Sequence, residues 1–111
     1  MLNDSLALDQ AFHALADPVR RGMLARLSRG PAAVSELARP LSISLPAVLQ
    51  HLKALEASGL VTSRKQGRVR TVQMQSDALG AAENWLTNRR KELEAQLDRF
   101  ENYVATLKGN D

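Results

Sequence analysis

With 111 residues, 44% of them hydrophobic and 24% charged, the chain has the length and composition of one small globular domain. The absence of cysteine removes disulfides, thiolate metal sites and cysteine nucleophiles together, and no apolar run approaches the roughly 20 residues of a membrane-spanning helix. The net charge of +3 is unevenly divided: residues 1 to 76 hold ten Lys/Arg against five Asp/Glu, and residues 77 to 111 hold five against seven, so +5 sits on the first part and −2 on the second.

The opening residues, MLNDSLALDQ, lack the basic start and apolar middle of a signal peptide, so a cytoplasmic location is expected. Leu6, Ala11, Phe12 and Leu15 recur at helical spacing and predict a first helix. Asp17 then Pro18 supply the N-cap and first-turn proline of a second, with Val19, Met23, Leu24 and Leu27 inward and Gly30-Pro31 as its stop. Val34, Leu37, Ala38 and Leu41 give a short third helix limited by Pro40, and Ser42-Ile43 is the whole connection to a fourth. Ser44 caps that fourth helix, Pro46 is tolerated in its first turn, and Gly59 fits the left-handed position that closes it. A short helix and a longer one, separated by two residues and apolar on their inner sides, form the pattern of a helix-turn-helix.

From Leu60 the period changes. Residues 60–65 and 68–75 are β-compatible runs joined around Gln66-Gly67, predicting a hairpin held to the helices by Val61, Val72 and Met74. Asp77 begins a helix of about 30 residues. Along it Leu79, Leu86, Leu93, Phe100 and Leu107 fall seven apart, with Leu97 and Val104 four after Leu93 and Phe100, which makes a seam that needs a partner. The last residues, GND, read as a frayed end.

The chemistry concentrates on the fourth helix and the hairpin. Val48, Leu52 and Leu55 must face the core, which turns Pro46, Ala47, Gln50, Lys53, Ala54 and Ala57 outward. This outer side is small and nearly neutral, as a helix entering a major groove must be. Gln50 can pair with adenine through both amide atoms, Lys53 can reach phosphate, and the first-turn amides beside Ser44 offer a further anion site. A groove for a protein helix would also prefer small residues. Arg64, Lys65, Arg68 and Arg70 follow with no acid between them and suit a polyanion; a tip of Lys65, Gln66, Gly67 and Arg68 fits a minor groove. The alternative for this run is a solvated charged hairpin.

His51 lies on the flank of the fourth helix, either as a half-buried imidazole bonded to backbone or to the third helix, or as a phosphate contact. The other histidine, His13, is remote in sequence and has no clustered carboxylate, so no metal site is expected. No nucleophile turn is present, and Glu36 and Glu56 read as ordinary surface acids, so neither catalysis nor a cofactor is expected. Trp85 and Tyr103 read as packing residues.

With FHALADPVRR, SELA, the block SLPAVLQHLKALEASGLV and the GR wing tip in view, the chain resembles the ArsR family of bacterial winged helix-turn-helix repressors over about residues 11–75. The resemblance implies a dimeric DNA-binding repressor with helices from both chain ends at the dimer contact. It places Ser44, Pro46, Ala47 and Gln50 on the recognition helix, and Lys65, Arg68 and Arg70 on the wing. Metal sensors of that family carry a CVC-type pair of thiols where this chain has Ala33, Val34 and Ser35, or His and acids on the last helix, which here has no His. The resemblance therefore points to the metal-independent branch. Leu49 stands where the family commonly has serine, in place of a phosphate bond giving a thymine-methyl contact or local packing.

The expected architecture is mainly α with a small β-hairpin: one winged helix-turn-helix domain over 1–111, with a DNA-binding head at about 5–76 that includes an N-terminal dimerisation helix, and a long dimerisation helix at about 77–107. The expected function is that of a transcriptional regulator, a repressor, binding a pseudo-palindromic double-stranded DNA operator as a homodimer, with no membrane partner. Its expected DNA contacts are Ser44, Leu45, Pro46, Ala47, Leu49, Gln50, Lys53, Lys65, Arg68 and Arg70. Its expected dimer contacts are Leu6, Phe12, Leu79, Leu86, Leu93, Leu97, Phe100 and Val104, with Leu2 as additional cover. A winged-helix protein-interaction module and a coiled-coil adaptor fit the same pattern without DNA specificity. The operator, the regulated genes and any small-molecule effector are not named by the sequence.

Overall fold

The computed structural model describes residues 2–109, with side chains from residue 5 onward. The cover expected from the Leu2 side chain and the fraying expected at Asn110 and Asp111 lie outside what is described, and Gly109, expected to fray with them, is still helical. Helix α1, Leu2–Leu15, is followed by α2, Pro18–Leu27, whose start is fixed by Asp17: its Oδ1 accepts the amides of Val19 at 2.8 Å and Arg20 at 3.1 Å. These are two of the four amides that a helix start leaves unpartnered, and Pro18 removes a third. Helix α2 ends at Leu27, with Ser28 as C-cap, ahead of the Gly30-Pro31 stop.

A two-residue strand β1, Ala32–Ala33, comes next and was not expected, because two alanines before a helix carry no period-two signal. Helix α3 is only Val34–Ala38, so the connection to α4, Leu45–Ala57, runs over residues 39–44 and not Ser42-Ile43 alone. Pro40 has no amide to continue the helical ladder, and the Leu41 amide turns back to the Ala38 carbonyl at 3.0 Å. Gly59, at φ +78°, ends the turn after α4 as its position predicts.

The hairpin consists of β2, Val61–Gln66, and β3, Val69–Met74. Gln66 pairs with Val69, so the turn is Gly67-Arg68, one residue beyond the expected site. Gly67 has φ +62° and, among the described residues, no non-glycine has a positive φ, which fits a type II′ turn with glycine at its first central position. Strand β3 is central in a three-stranded antiparallel sheet, with β1 on its other side through the Ala32–Val72 and Ala33–Thr71 pairs. The core gathers Met23, Leu24 and Leu27 from α2, Leu37 from α3, Val48, Leu52 and Leu55 from α4, and Leu60, Val61 and Val72 from the sheet region. The predicted inner faces of α2 and α4 are therefore the observed ones.

Helix α5, Ser76–Gly109, has 34 residues and spans about 51 Å at 1.5 Å per residue. Ala78 and Leu79 pack on the head, Ala82 is the one buried residue of the helix, and beyond Asn88 every side chain except Val104 is exposed. The radius of gyration is 20.4 Å, whereas a compact chain of this length has about 13 Å. The helix outruns the head that carries it.

Candidate nucleic-acid interface

Burying Val48, Leu52 and Leu55 leaves Leu45, Pro46, Leu49, Gln50 and Lys53 exposed along one side of α4, with Ser44 ahead of them and Ala47 partly covered. Leu45 is 55% exposed and Leu49 41% exposed, so two large apolar side chains edge this face without a full packing role inside the chain. The anion site expected at the helix start is smaller than the sequence implied. Ser44 Oγ accepts the Ala47 amide at 3.3 Å and Pro46 has none, which leaves the Leu45 amide alone in the first turn.

Strand alternation divides the wing. Val61, Ser63 and Lys65 share a face with Arg70, Val72 and Met74, while Thr62, Arg64 and Gln66 share the opposite face with Thr71 and Gln73. Lys65 and Arg70 are direct cross-strand partners, Arg68 sits in the turn, and Arg64 points to the other side of the sheet. Lys53, Arg64, Lys65 and Arg68 have no acidic partner within 4.0 Å among the described residues. Arg70 does: its Nη2 lies 3.7 Å from Glu56 Oε1, and its Nε donates to Ser63 Oγ at 3.0 Å. Ser63 in turn donates to Glu56 Oε1 at 2.6 Å. The sequence placed Arg70 with the free cations and Glu56 on an ordinary surface; the fold ties them together across α4 and the wing.

His51 is half-buried as expected, but its partners are side chains around the start of α2. Arg20 Nη1 donates to His51 Nδ1 at 3.2 Å, and Asp17 Oδ1 lies 3.9 Å away. Arg20 also donates from Nε to the Ala14 carbonyl at 2.8 Å and from Nη2 to the His13 carbonyl at 3.0 Å, and Arg21 donates to the Leu15 carbonyl at 2.8 Å. Both arginines thus serve C-terminal carbonyls of α1, Arg20 half-buried and Arg21 exposed. The Asp17 carboxyl is held below its ordinary value of 3.8, first by the Arg20 amide it accepts, then by the Val19 amide and the neighbouring His51 and Arg20 side chains, against the opposing effect of desolvation. Arg20 was not singled out from sequence; the signal was a cation three residues after a capping Asp. Among the described residues, no three His, Cys, Asp or Glu side chains cluster as metal ligands.

At the other end, Phe12 meets Trp85 edge-on with ring centroids 5.7 Å apart, and Arg89 lies 5.0 Å over the same indole. Phe12 and Leu79, expected in the dimer seam, are thus engaged within their own chain, while Leu6, Leu86, Leu93, Leu97, Phe100 and Leu107 remain exposed and Val104 is half-covered. Trp85 does pack, although partly exposed; Tyr103, expected to pack, is exposed in the single chain.

The sequence and the fold both have relatives. Residues 15–64 match a family model described as a helix-turn-helix domain. The HTH-type transcriptional regulator Rv2034 of Mycobacterium tuberculosis is 45% identical over 92 residues, covering 83% of this chain and 76% of the relative. A crystal structure of an ArsR family transcriptional regulator superposes with TM-score 0.78 at 47% identity, covering 81% of this chain and 93% of the other. An ArsR-like transcriptional regulator from Rhodococcus sp. RHA1 superposes with TM-score 0.74 at 32% identity, over 88% of this chain and 92% of the other.

Proposed function

The chain belongs to the ArsR family of winged helix-turn-helix transcriptional regulators, and from that premise we propose that it is a cytoplasmic repressor that binds a pseudo-palindromic double-stranded DNA operator as a homodimer. The observation that carries this is the pairing of an exposed, nearly neutral α4 face with a wing whose Arg64, Lys65 and Arg68 have no acidic partner among the described residues. Helix α4 enters the major groove, where Gln50 reads adenine, Leu45 and Leu49 supply apolar contact to thymine methyls, and Lys53 takes phosphate. Lys65 and Arg68 carry the wing to the neighbouring backbone or minor groove. The apolar stripe of α5 joins two copies, so that two half-sites are bound about one helical turn apart.

The two rival functions, a protein-interaction module whose basic wing meets an acidic partner and a coiled-coil adaptor, involve no duplex DNA. Selection from a random duplex pool followed by titration at several salt concentrations separates them. A recovered palindromic consensus bound with a steep salt dependence is expected; no enrichment and a shallow slope would refute DNA recognition.

A further inference from the structure

Between Glu36 and Asp77 the chain contains a single acid, Glu56, set among Arg39, Lys53, Arg64, Lys65, Arg68 and Arg70. An acid there is doubly unfavourable. It lies near the C-terminal end of α4, where the helix dipole disfavours negative charge, and it places a negative charge in the element that meets phosphate. What it gains is Arg70. Ser63 spends its hydroxyl proton on Glu56 Oε1 at 2.6 Å, which leaves an oxygen lone pair for Arg70 Nε at 3.0 Å and brings Arg70 Nη2 to 3.7 Å from the same carboxylate oxygen. The guanidinium is drawn toward α4 while its cross-strand neighbour Lys65 has no acidic partner among the described residues. Both members of the pair stay open to water, with side chains 32% exposed at Glu56 and 49% at Arg70, so a phosphate has access to displace the carboxylate.

We propose that Glu56 is an intramolecular competitor of DNA phosphate for Arg70, limiting the affinity of the protein for duplexes of arbitrary sequence. The assignment rests on the DNA-binding function proposed above. Non-specific affinity comes almost wholly from phosphate neutralisation, so withholding one wing cation lowers it directly, while base contacts of α4 are untouched. An exposed ion pair is a weak competitor, and its removal changes an association constant by about two- to fivefold.

The test uses the full chain and a mixed-sequence duplex, titrated across several salt concentrations. E56Q keeps the side-chain size and an acceptor for Ser63 but removes the charge. It is expected to raise affinity about two- to fivefold and to steepen the salt slope by about one phosphate contact. R70A alone is expected to leave the salt slope near wild type while lowering affinity slightly, because the Glu56 charge is then uncompensated, and E56Q/R70A to return to wild-type values. The proposal is overturned if the gain of E56Q persists without Arg70, since that is bulk charge alone. It is equally overturned if E56Q lowers affinity, which makes Glu56 a support of the wing, or if R70A alone flattens the slope, which makes Arg70 a phosphate contact already. A wild-type protein that ignores duplex DNA refutes the function itself; one that binds with a steep slope while E56Q changes nothing refutes only the role of Glu56.

Discussion

Substituting Leu93 and Phe100 together by Asp tests the dimer where the single chain is most exposed. In one copy Leu93 is 56% exposed and Phe100 63% exposed. Full burial of such a side chain is worth about 1.5–3 kcal/mol, so covering the exposed remainder contributes about 1–1.5 kcal/mol at each. An isologous contact holds both residues twice, and the four side chains together supply about 4–6 kcal/mol. At 1.4 kcal/mol per tenfold, their loss raises the dimer Kd by about three to four orders of magnitude, before the further cost of desolvating four carboxylates. Sedimentation velocity from nanomolar to high micromolar protein is expected to show a wild-type dimer throughout and a monomeric double variant. Operator affinity is expected to fall with it, because two half-sites are no longer held on one body. A wild type that stays monomeric at micromolar concentration yet binds its operator tightly, or a double variant that stays dimeric, would refute the role assigned to the α5 stripe.

Replacing Gln50 with Ala is expected to cost about 1–3 kcal/mol on the selected operator and little on mixed-sequence duplex; equal loss on both in a filter or anisotropy titration would leave Gln50 with no part in base discrimination. R68A is expected to weaken binding to every duplex and flatten the salt slope by about one contact, and an unchanged slope would place the wing tip off the DNA. Zinc, arsenite or a chelator is expected to leave operator affinity unchanged, and a shift abolished by substituting His13 and His51 would show a metal site. Because the folded Asp17 carboxyl titrates below its ordinary 3.8, the stability it adds is fully present above that value and is lost as the pH falls through the lower, folded one. Thermal melts of wild type and D17A are therefore expected to converge only below pH 3.8, and a gap that closes above it would contradict the capping geometry.

The parts legible in the sequence are those set by period and by local caps. Val48, Leu52 and Leu55 at helical spacing fixed which side of α4 is buried, and with it the outward direction of Pro46, Gln50 and Lys53. Asp17-Pro18 and Ser44 named two helix starts, and the change of period after Gly59 named the wing. What escaped depends on contacts between distant segments. Strand β1 exists because β3 presents an edge to Ala32–Ala33, about forty residues away in sequence. Arg70 and Glu56 each fit an ordinary surface pattern until β3 crosses beside α4, and heptad spacing alone cannot show that Leu79 reaches its own head before any second copy is met.

Arg20 makes the head a tied frame. One guanidinium holds the last carbonyls of α1 through two bonds, belongs to the first turn of α2, and reaches the flank of α4 at His51. Helix α1 is in turn seated on α5 by the Phe12–Trp85 contact. A rotation of α1 that keeps that aromatic contact therefore has to break a bond of Arg20 or carry α4 along with it. The side of α4 that faces outward is thus tied, through Arg20 and through the direct packing of α1 on α4, to how the long helix leaves the head.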